Sequence, residues 1–390
     1  MSGAWIYLDH NATTGLEPEV AAAMSAAALE YPANPASQHQ AGRSARRRLE
    51  TARVDTLRLL GGKTSGMDAD RLILTSGGTE ANNLALLGLS ASKPGGPVFV
   101  SAIEHPSVLM TTEPLRQAGH EVRKIPVGTN GQVDLQWLAE HLSPEAALVS
   151  VMLANNETGV IQPVSEIAKA CRDQNVPMHC DAVQAAGKIE VPFRELDLAA
   201  MTIAAHKFNG PLGIGGLVLR HGTPLAPRLF GGFQQASSRP GTESVALAVG
   251  LNIAIQRWIE QRAVRSAQLQ SWRDSFESAI VDQLADVVVV GQESPRLGHV
   301  SCLAFLGVDR QALFLALDAA GICCSTGSAC ASGSSEPSST LVAMGLSKGV
   351  VESALRFSFG ITNSPLDGKD SAERIIKCVK NLRLRKNPSS

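Results

Sequence analysis

Charge is scarce in this chain and evenly split. Lys and Arg number 35 and Asp and Glu 36, together 18% of 390 residues, against a usual level of about one quarter. A net charge of −1 supplies no long-range attraction to nucleic acid or to an anionic membrane, so neither is expected as a partner. Long apolar runs are missing as well. The longest, such as 146–154 and 245–255, fall short of the roughly 18 residues that a bilayer crossing needs, and residues 1–11 hold no cationic stretch leading into an apolar segment. The expectation is a cytoplasmic protein. The seven cysteines form no Cys-x-x-Cys pair and no Cys/His cluster with zinc spacing, so no metal is expected, and each thiol reads by default as a small buried hydrophobe. Disorder is excluded too, because hydrophobic residues reach 44%.

What is present is an alternation of two periodicities. Seven short apolar runs, at 72–75, 97–101, 121–126, 148–153, 176–181, 201–204 and 216–220, are separated by stretches of helical period. Continuous apolar strands between helices predict an α/β fold with a mostly parallel seven-stranded sheet and helices on both faces. Ligands in such sheets sit beyond the carboxyl ends of the strands. Upstream, 43–60 reads as a helix with Arg46, Arg47 and Arg48 on a solvated face. Residues 244–280 lack proline and predict a long helix leading into a smaller α+β domain, with strands at 287–290, 302–305 and 354–359 and an amphipathic helix at 371–385. The expected division is 15–262 for the large domain, with 1–14 and 263–390 for the small one. Residues 325–339 hold seven serines around Cys330, a linker-like composition inside a folded domain.

Three strand ends carry residues suited to chemistry. The run Leu-Ile-Leu-Thr at 72–75 enters Ser-Gly-Gly-Thr and then a helical stretch; free N–H groups at Gly77, Gly78 and Thr79 favour an anion there, although an ordinary capped helix start fits equally well. Met-His-Cys-Asp at 178–181 ends in Asp181, which suits a protonated ring nitrogen, although such a residue standing alone is more often a helix N-cap. Lys207 follows an apolar run and precedes a Gly/Pro turn; a lysine in an apolar pocket has the depressed pKa needed to form a Schiff base, while a lone lysine is ordinarily a surface residue. Together, an anion site, a strand-end Asp and a strand-end Lys match the phosphate, pyridine nitrogen and aldehyde of pyridoxal phosphate.

These motifs, with Tyr-Leu-Asp-His-Asn-Ala-Thr-Thr at 7–14, Asn-Pro-Ala-Ser at 34–37, Glu104-His105, Asn-Asn-Glu-Thr-Gly at 155–159, Arg-Pro-Gly-Thr at 239–242, Ser-Thr-Gly-Ser-Ala-Cys at 325–330 and Leu-Arg-Phe-Ser at 355–358, run almost end to end. On them the chain resembles the cysteine desulfurases of the nitrogen-fixation and iron-sulfur-cluster type, within the class V aminotransferase family of fold-type I pyridoxal phosphate enzymes. The resemblance implies that Lys207 is the Schiff-base lysine and that Asp181 pairs with the pyridinium nitrogen. Asn156 and Gln184 would contact the ring hydroxyl side, and His105 would stack on the ring and move protons. Gly78, Thr79 and His206 would hold the phosphate, joined by Thr242 from the partner subunit of a homodimer. Arg356 would grip the substrate carboxylate, with Asn34 as a second substrate contact, and Cys330 would be the nucleophile that takes sulfur from L-cysteine as a persulfide. A sulfur-acceptor protein such as an iron-sulfur scaffold is the implied partner.

Several positions depart from the family pattern. Ala204 stands where a serine commonly helps to bind phosphate, and Val183 where threonine is usual. Cys323 and Cys324 occupy positions where small non-thiol residues are expected and read as buried strand-end thiols. The chain ends at Ser390, and the tail reads as shorter than in family members that dock a scaffold with it. Two other readings stay open on the residues alone: a lyase or aminotransferase acting on another amino acid, such as selenocysteine or cysteine sulfinate, and a scaffold that has lost its cofactor.

Overall fold

Seven of the strands lie side by side in one sheet. The computed structural model describes residues 5–327 and 336–386. The sheet strands are β2 (Arg71–Thr75), β3 (Val98–Ser101), β4 (Val122–Ile125), β5 (Leu148–Ser150), β6 (Met178–Asp181), β7 (Ala200–Ala204) and β8 (Gly215–Leu219), after a two-residue β1 (Ile6–Tyr7). Their order is β2-β8-β7-β6-β5-β3-β4. Only β8 runs against the rest, being antiparallel to both β2 and β7. The seven expected runs are therefore the seven strands, each within two or three residues of its predicted limits.

Side-chain alternation explains why these segments need helices on both faces. Leu72 and Leu74 belong to one apolar cluster with Met178, Cys180, Met201 and Ile203, whereas Ile73 belongs to another with Val98, Val100, Leu148 and Leu217. A period of two thus sends alternate residues of the sheet into two cores, one on each face. The Gly78–Ser90 helix covers the second face through Ala81, Leu84 and Ala85. The Gln40–Leu59 helix packs on the first through Ala45, Leu49 and Ala52.

A smaller antiparallel sheet follows, built from β9 (Val287–Val289), β10 (Val300–Phe305) and β12 (Ala354–Ser358), with β10 in the middle. The short β11 (Ile322–Cys323) pairs in parallel with β1, so the amino-terminal residues are bound to the carboxyl-terminal third of the chain. Linking the two sheets is the Val245–Val281 helix, 37 residues and about 55 Å long at 1.5 Å per residue. Ser244 caps it by accepting from Leu247 N at 3.2 Å. Among the described residues no helix is long and apolar enough to cross a membrane.

Among the limits that differ from the sequence reading, two stand out. The run expected at 148–153 leaves strand geometry after Ser150, although Val151 N and Leu153 N still donate to the carbonyls of His179 and Asp181. The last helix begins at Pro365, six residues early. Proline suits a first helical position, and Ser364 Oγ accepts from Asp367 N at 3.3 Å.

Candidate active site

All the strand ends that carry candidate residues open on one cavity at the carboxyl edge of the sheet. Beyond β2 lies the start of the Gly78–Ser90 helix, where Gly78 and Thr79 reach the cavity. A Cβ on Gly78 would stand 3.0 Å from Val183 Cγ2 and 3.5 Å from Ala204 Cβ, so the absent side chain keeps a concave cradle at the positive end of a helix dipole. His105 follows β3, Asn156 follows β5, Asp181 ends β6 with Gln184 behind it, and His206 and Lys207 follow β7.

Asp181 is buried and braced on both oxygens: Oδ2 accepts from Asn82 Nδ2 at 2.7 Å and Oδ1 from Val183 N at 2.9 Å. It caps a turn, not a helix. Lys207 Nζ donates to the carbonyls of Asn11 at 2.5 Å and Ala12 at 2.7 Å, which holds the amine at the cavity wall. His105 Nδ1 accepts from Ser107 N at 3.1 Å, so the neutral ring carries its proton on Nε2, an assignment that follows from the hydrogen bond. Burial holds this imidazole below its usual range, opposed by Asp181 and helped by the cations of Lys207 and Arg356. Burial, then Lys207 and Lys188, lower His206 to about 4. Both shifts favour the neutral imidazole.

A polar layer lies behind the cavity, and of its residues the sequence reading gave a role to Gln184 alone. Gln184 Nε2 donates to the same Asn11 carbonyl at 3.0 Å, and Asn11 Oδ1 lies 2.8 Å from His299 Nε2. His299 Nε2 is in turn 3.2 Å from Lys188 Nζ. Burial, with Lys207 nearby, lowers the Lys188 amine to about 7. Glu104 is also buried; its Oε1 accepts from Met152 N at 2.7 Å, and burial followed by the Asp181 charge pushes its pKa well above its usual value. Asn82 was legible: it lies four residues after Gly78, on the same helix face. Lys188 and His299 carried no such signal, because they are 111 positions apart.

The cavity suits the group expected there. A helix start without side chains at its first positions, an anionic strand-end carboxylate and a lysine amine supply the three contacts, and Gln184 Oε1 and Asn82 Oδ1 are buried without a hydrogen-bond partner among the described residues. Such atoms are costly unless a ligand satisfies them.

The remaining candidates lie elsewhere. Arg356, on β12, donates through Nη1 to the Asn156 carbonyl at 3.0 Å and so borders the cavity. Its backbone pairs with Ser325, at 2.8 and 3.1 Å, at the foot of the serine-rich segment. Cys330 lies outside the described residues. Asn34 and Thr242 are not brought to Lys207; they share a separate groove with Arg46, Arg53 and Phe233. Cys324 is buried as expected, with burial raising its thiol above the usual range, whereas Cys323 is only half-buried at the end of its two-residue strand. Among the described residues no cluster of three or more His, Cys, Asp or Glu is placed to hold a metal ion.

The family model of class-V aminotransferases matches residues 6–367. The cysteine desulfurase IscS of Dictyoglomus turgidum is 37% identical over 382 residues, covering 97% of this chain and 96% of that protein. The cysteine desulfurase NifS of Azotobacter vinelandii is 35% identical over 375 residues, covering 96% and 91%. The solved structure of a NifS-like protein from Rickettsia africae ESF-5 superposes with a TM-score of 0.87 at 30% identity, covering 96% and 99%. With this fold, this cavity and this similarity over nearly its whole length, the chain belongs to the class-V aminotransferases and, among them, to the cysteine desulfurases.

Proposed function

We propose that the cavity holds pyridoxal 5'-phosphate and that the chain converts L-cysteine to L-alanine, leaving the sulfur on Cys330 as a persulfide. The observation that carries this reading is the meeting of the Gly78–Thr79 helix start, Asp181 and Lys207 in one cavity. Gly78, Thr79 and His206 would hold the phosphate, Asp181 the ring nitrogen, Asn156 and Gln184 the hydroxyl side, and His105 the ring face. Bound there, the group supplies an aldehyde for the substrate's amine and a sink for electrons.

The chain's own residues do the rest. Arg356 receives the substrate carboxylate, a task for which a planar guanidinium is suited, whereas Asn34 lies in a separate groove of the same chain and takes no part there. Lys207 moves the proton at the substrate's Cα, and neutral His105 accepts or returns one at the opposite wall. Cys330 then takes Sγ: the Cβ–Sγ bond breaks, an S–S bond forms, and Cβ gains a proton. Thiol plus cysteine becomes persulfide plus alanine, so no external oxidant or reductant is consumed.

In the same reading the protein works in the cytoplasm as a homodimer, with Thr242 completing the phosphate site of the partner subunit. The persulfide passes to an acceptor protein such as an iron-sulfur scaffold. We assign 15–262 to the large domain, and 1–14 with 263–390 to the small one. The test is the release of alanine and sulfide from L-cysteine and a thiol reductant, with Cys330→Ala in parallel. Equimolar products from the parent and a cofactor-loaded, inactive variant are expected. Pyruvate in place of alanine, or sulfide release kept by Cys330→Ala, overturns the reading.

A further inference from the structure

Arg356 already carries a carboxylate, and the chain supplies it. The guanidinium is 1% exposed, and its Nη2 donates to Asp9 Oδ1 at 2.5 Å, while Nη1 is taken by the Asn156 carbonyl. Nε is buried with no hydrogen-bond partner among the described residues. Asp9 cannot drift away easily, because hydrogen bonds hold the backbone on both sides of it: Leu8 O accepts from Ser358 N at 2.7 Å, and His10 N donates to Ser358 O at 3.3 Å. Its own side chain is 21% exposed, so it sits at the rim of the buried cation.

A buried arginine without a counter-charge is costly, and Asp9 offsets that cost. The same contact sets a difficulty for any ligand. A second carboxylate arriving at this guanidinium must share it with Asp9, which brings two like charges to a few ångströms, or must displace Asp9. Either way, part of the attraction of Arg356 is already spent before the ligand arrives. Substrate and product have the same carboxylate, so both are weakened alike, a uniform effect on binding that leaves the chemical step unchanged. A ligand with a second acid group feels the Asp9 charge twice.

We propose that Asp9 is a specificity-determining residue, a resident competitor on Arg356 that loosens the hold on substrate and on product alanine and disfavours amino acids with an acidic side chain. The proposal rests on the reading of Arg356 as the partner of the substrate carboxylate. Its chemical consequence is that the desulfurase exchanges alanine for cysteine quickly and rejects aspartate and cysteine sulfinate, which would otherwise bind to the same arginine.

The experiment uses the cofactor-loaded enzyme and three readouts: KM and kcat for L-cysteine, calorimetric Kd for L-alanine, and inhibition by cysteine sulfinate. Asp9→Asn and Asp9→Ser both remove the charge, and whichever of them folds, as judged by thermal unfolding, serves. The expected result is a KM and an alanine Kd about tenfold lower, inhibition by cysteine sulfinate strengthened by more than that, and kcat unchanged or lowered as alanine release becomes slow. Asp9→Glu, which keeps the charge, is expected to retain parental values. An unchanged or raised alanine Kd in the neutral variants overturns the proposal. Arg356→Gln separates the two levels: if it weakens alanine binding while the Asp9 variants do not tighten it, the Asp9 proposal alone fails. If Arg356→Gln leaves alanine binding and KM unchanged, the reading of Arg356 fails, and the role of Asp9 falls with it.

Discussion

Two concave regions of this chain hold the candidate residues, and they are built in opposite ways. The Lys207 cavity is walled by strand ends; its carboxylate, imidazoles and amine have hydrogen bonds inside the chain, and the buried atoms left over point to a ligand. The groove holding Asn34 and Thr242 is open, and large rings stand in water beside it: Phe230 is 87% and Phe233 91% exposed. Next to Phe233 the backbone of Gln235, Ala236 and Ser237 takes φ of 50°, 53° and 59°, a left-handed conformation that costs side-chain-bearing residues about 1 kcal/mol or more each. Within the chain the turn places the Gln235 side chain on the edge of β2, where it accepts from Leu74 N at 2.7 Å and donates to Leu74 O at 2.9 Å, but the two rings stay exposed. A second copy seated on the loop would bury the rings and bring Thr242 toward a cavity that its own chain cannot reach. The walls of the cavity come from one chain, whereas the groove would gain a use only in a pair.

The largest effect is expected inside the cavity. Lys207→Ala removes the amine held by the Asn11 and Ala12 carbonyls, and alanine release from L-cysteine should fall by about 10⁴-fold, the upper range for loss of a proton-transfer group. The variant should still fold, with a thermal midpoint within a few degrees of the parent, because the lysine contributes to no apolar core. Retained turnover would break the distinction between the two regions.

Breaking the groove should do less, and in a concentration-dependent way. Phe230→Asp with Phe233→Asp puts two charges where rings are exposed, and truncating anchors of this kind costs at least ~2 kcal/mol each, a factor of about 30 apiece. Sedimentation is expected to show monomers at micromolar concentration, with activity recovering as the protein is concentrated. A double variant that sediments and turns over like the parent would separate the groove from assembly.

Behind the cavity, Lys188 offers a smaller and pH-dependent test. Its amine is buried and titrates at about 7, below its usual value of 10.5. Between those two pH values the unfolded chain binds the proton and the folded chain does not, so stability rises with pH across that window. Lys188→Met removes the dependence. The variant should melt higher than the parent at pH 7, and the gap should shrink as pH approaches 10. A gap constant in pH would mean that the lysine is not neutral in the folded protein.

Sequence reading reached the sheet and the cavity for the same reason. Strand ends are local: Asp181 closes an apolar run, Lys207 follows one, and Gly77 and Gly78 break a run into a helix, so periodicity and a single residue identity suffice. It did not reach the layer behind them. Asn11, Lys188 and His299 meet only after residues far apart in the chain are packed together, and a buried lysine has no pattern that distinguishes it from a surface one. The two-residue β1 and β11 escaped for a related reason, since pairing between positions 6 and 322 leaves no trace in a run of two. Thr242 and Asn34 were singled out by motif and not by place, and one chain holds them apart from Lys207.

The smallest expected effect tests a single methyl group. Ala204 is buried where β7 ends, its Cβ beside the Gly78 turn and lining the same cavity. A serine there would direct a hydroxyl toward the helix start that would hold the phosphate, adding one charge-assisted hydrogen bond to those proposed for Gly78, Thr79 and His206. Such a bond contributes about 1.5 kcal/mol against a competing cost of ordering the hydroxyl, so Ala204→Ser should bind pyridoxal phosphate roughly three- to tenfold more tightly. The measurement is the rise of the yellow cofactor absorbance on titrating the cofactor-free protein, with kcat expected to move little because the hydroxyl would touch phosphate and not the reacting atoms. Tightening would show that the phosphate cradle of this chain works one hydrogen bond short. Equal or weaker binding would mean that the space at Ala204 is closed by Gly78 and that the helix start already satisfies the anion unaided.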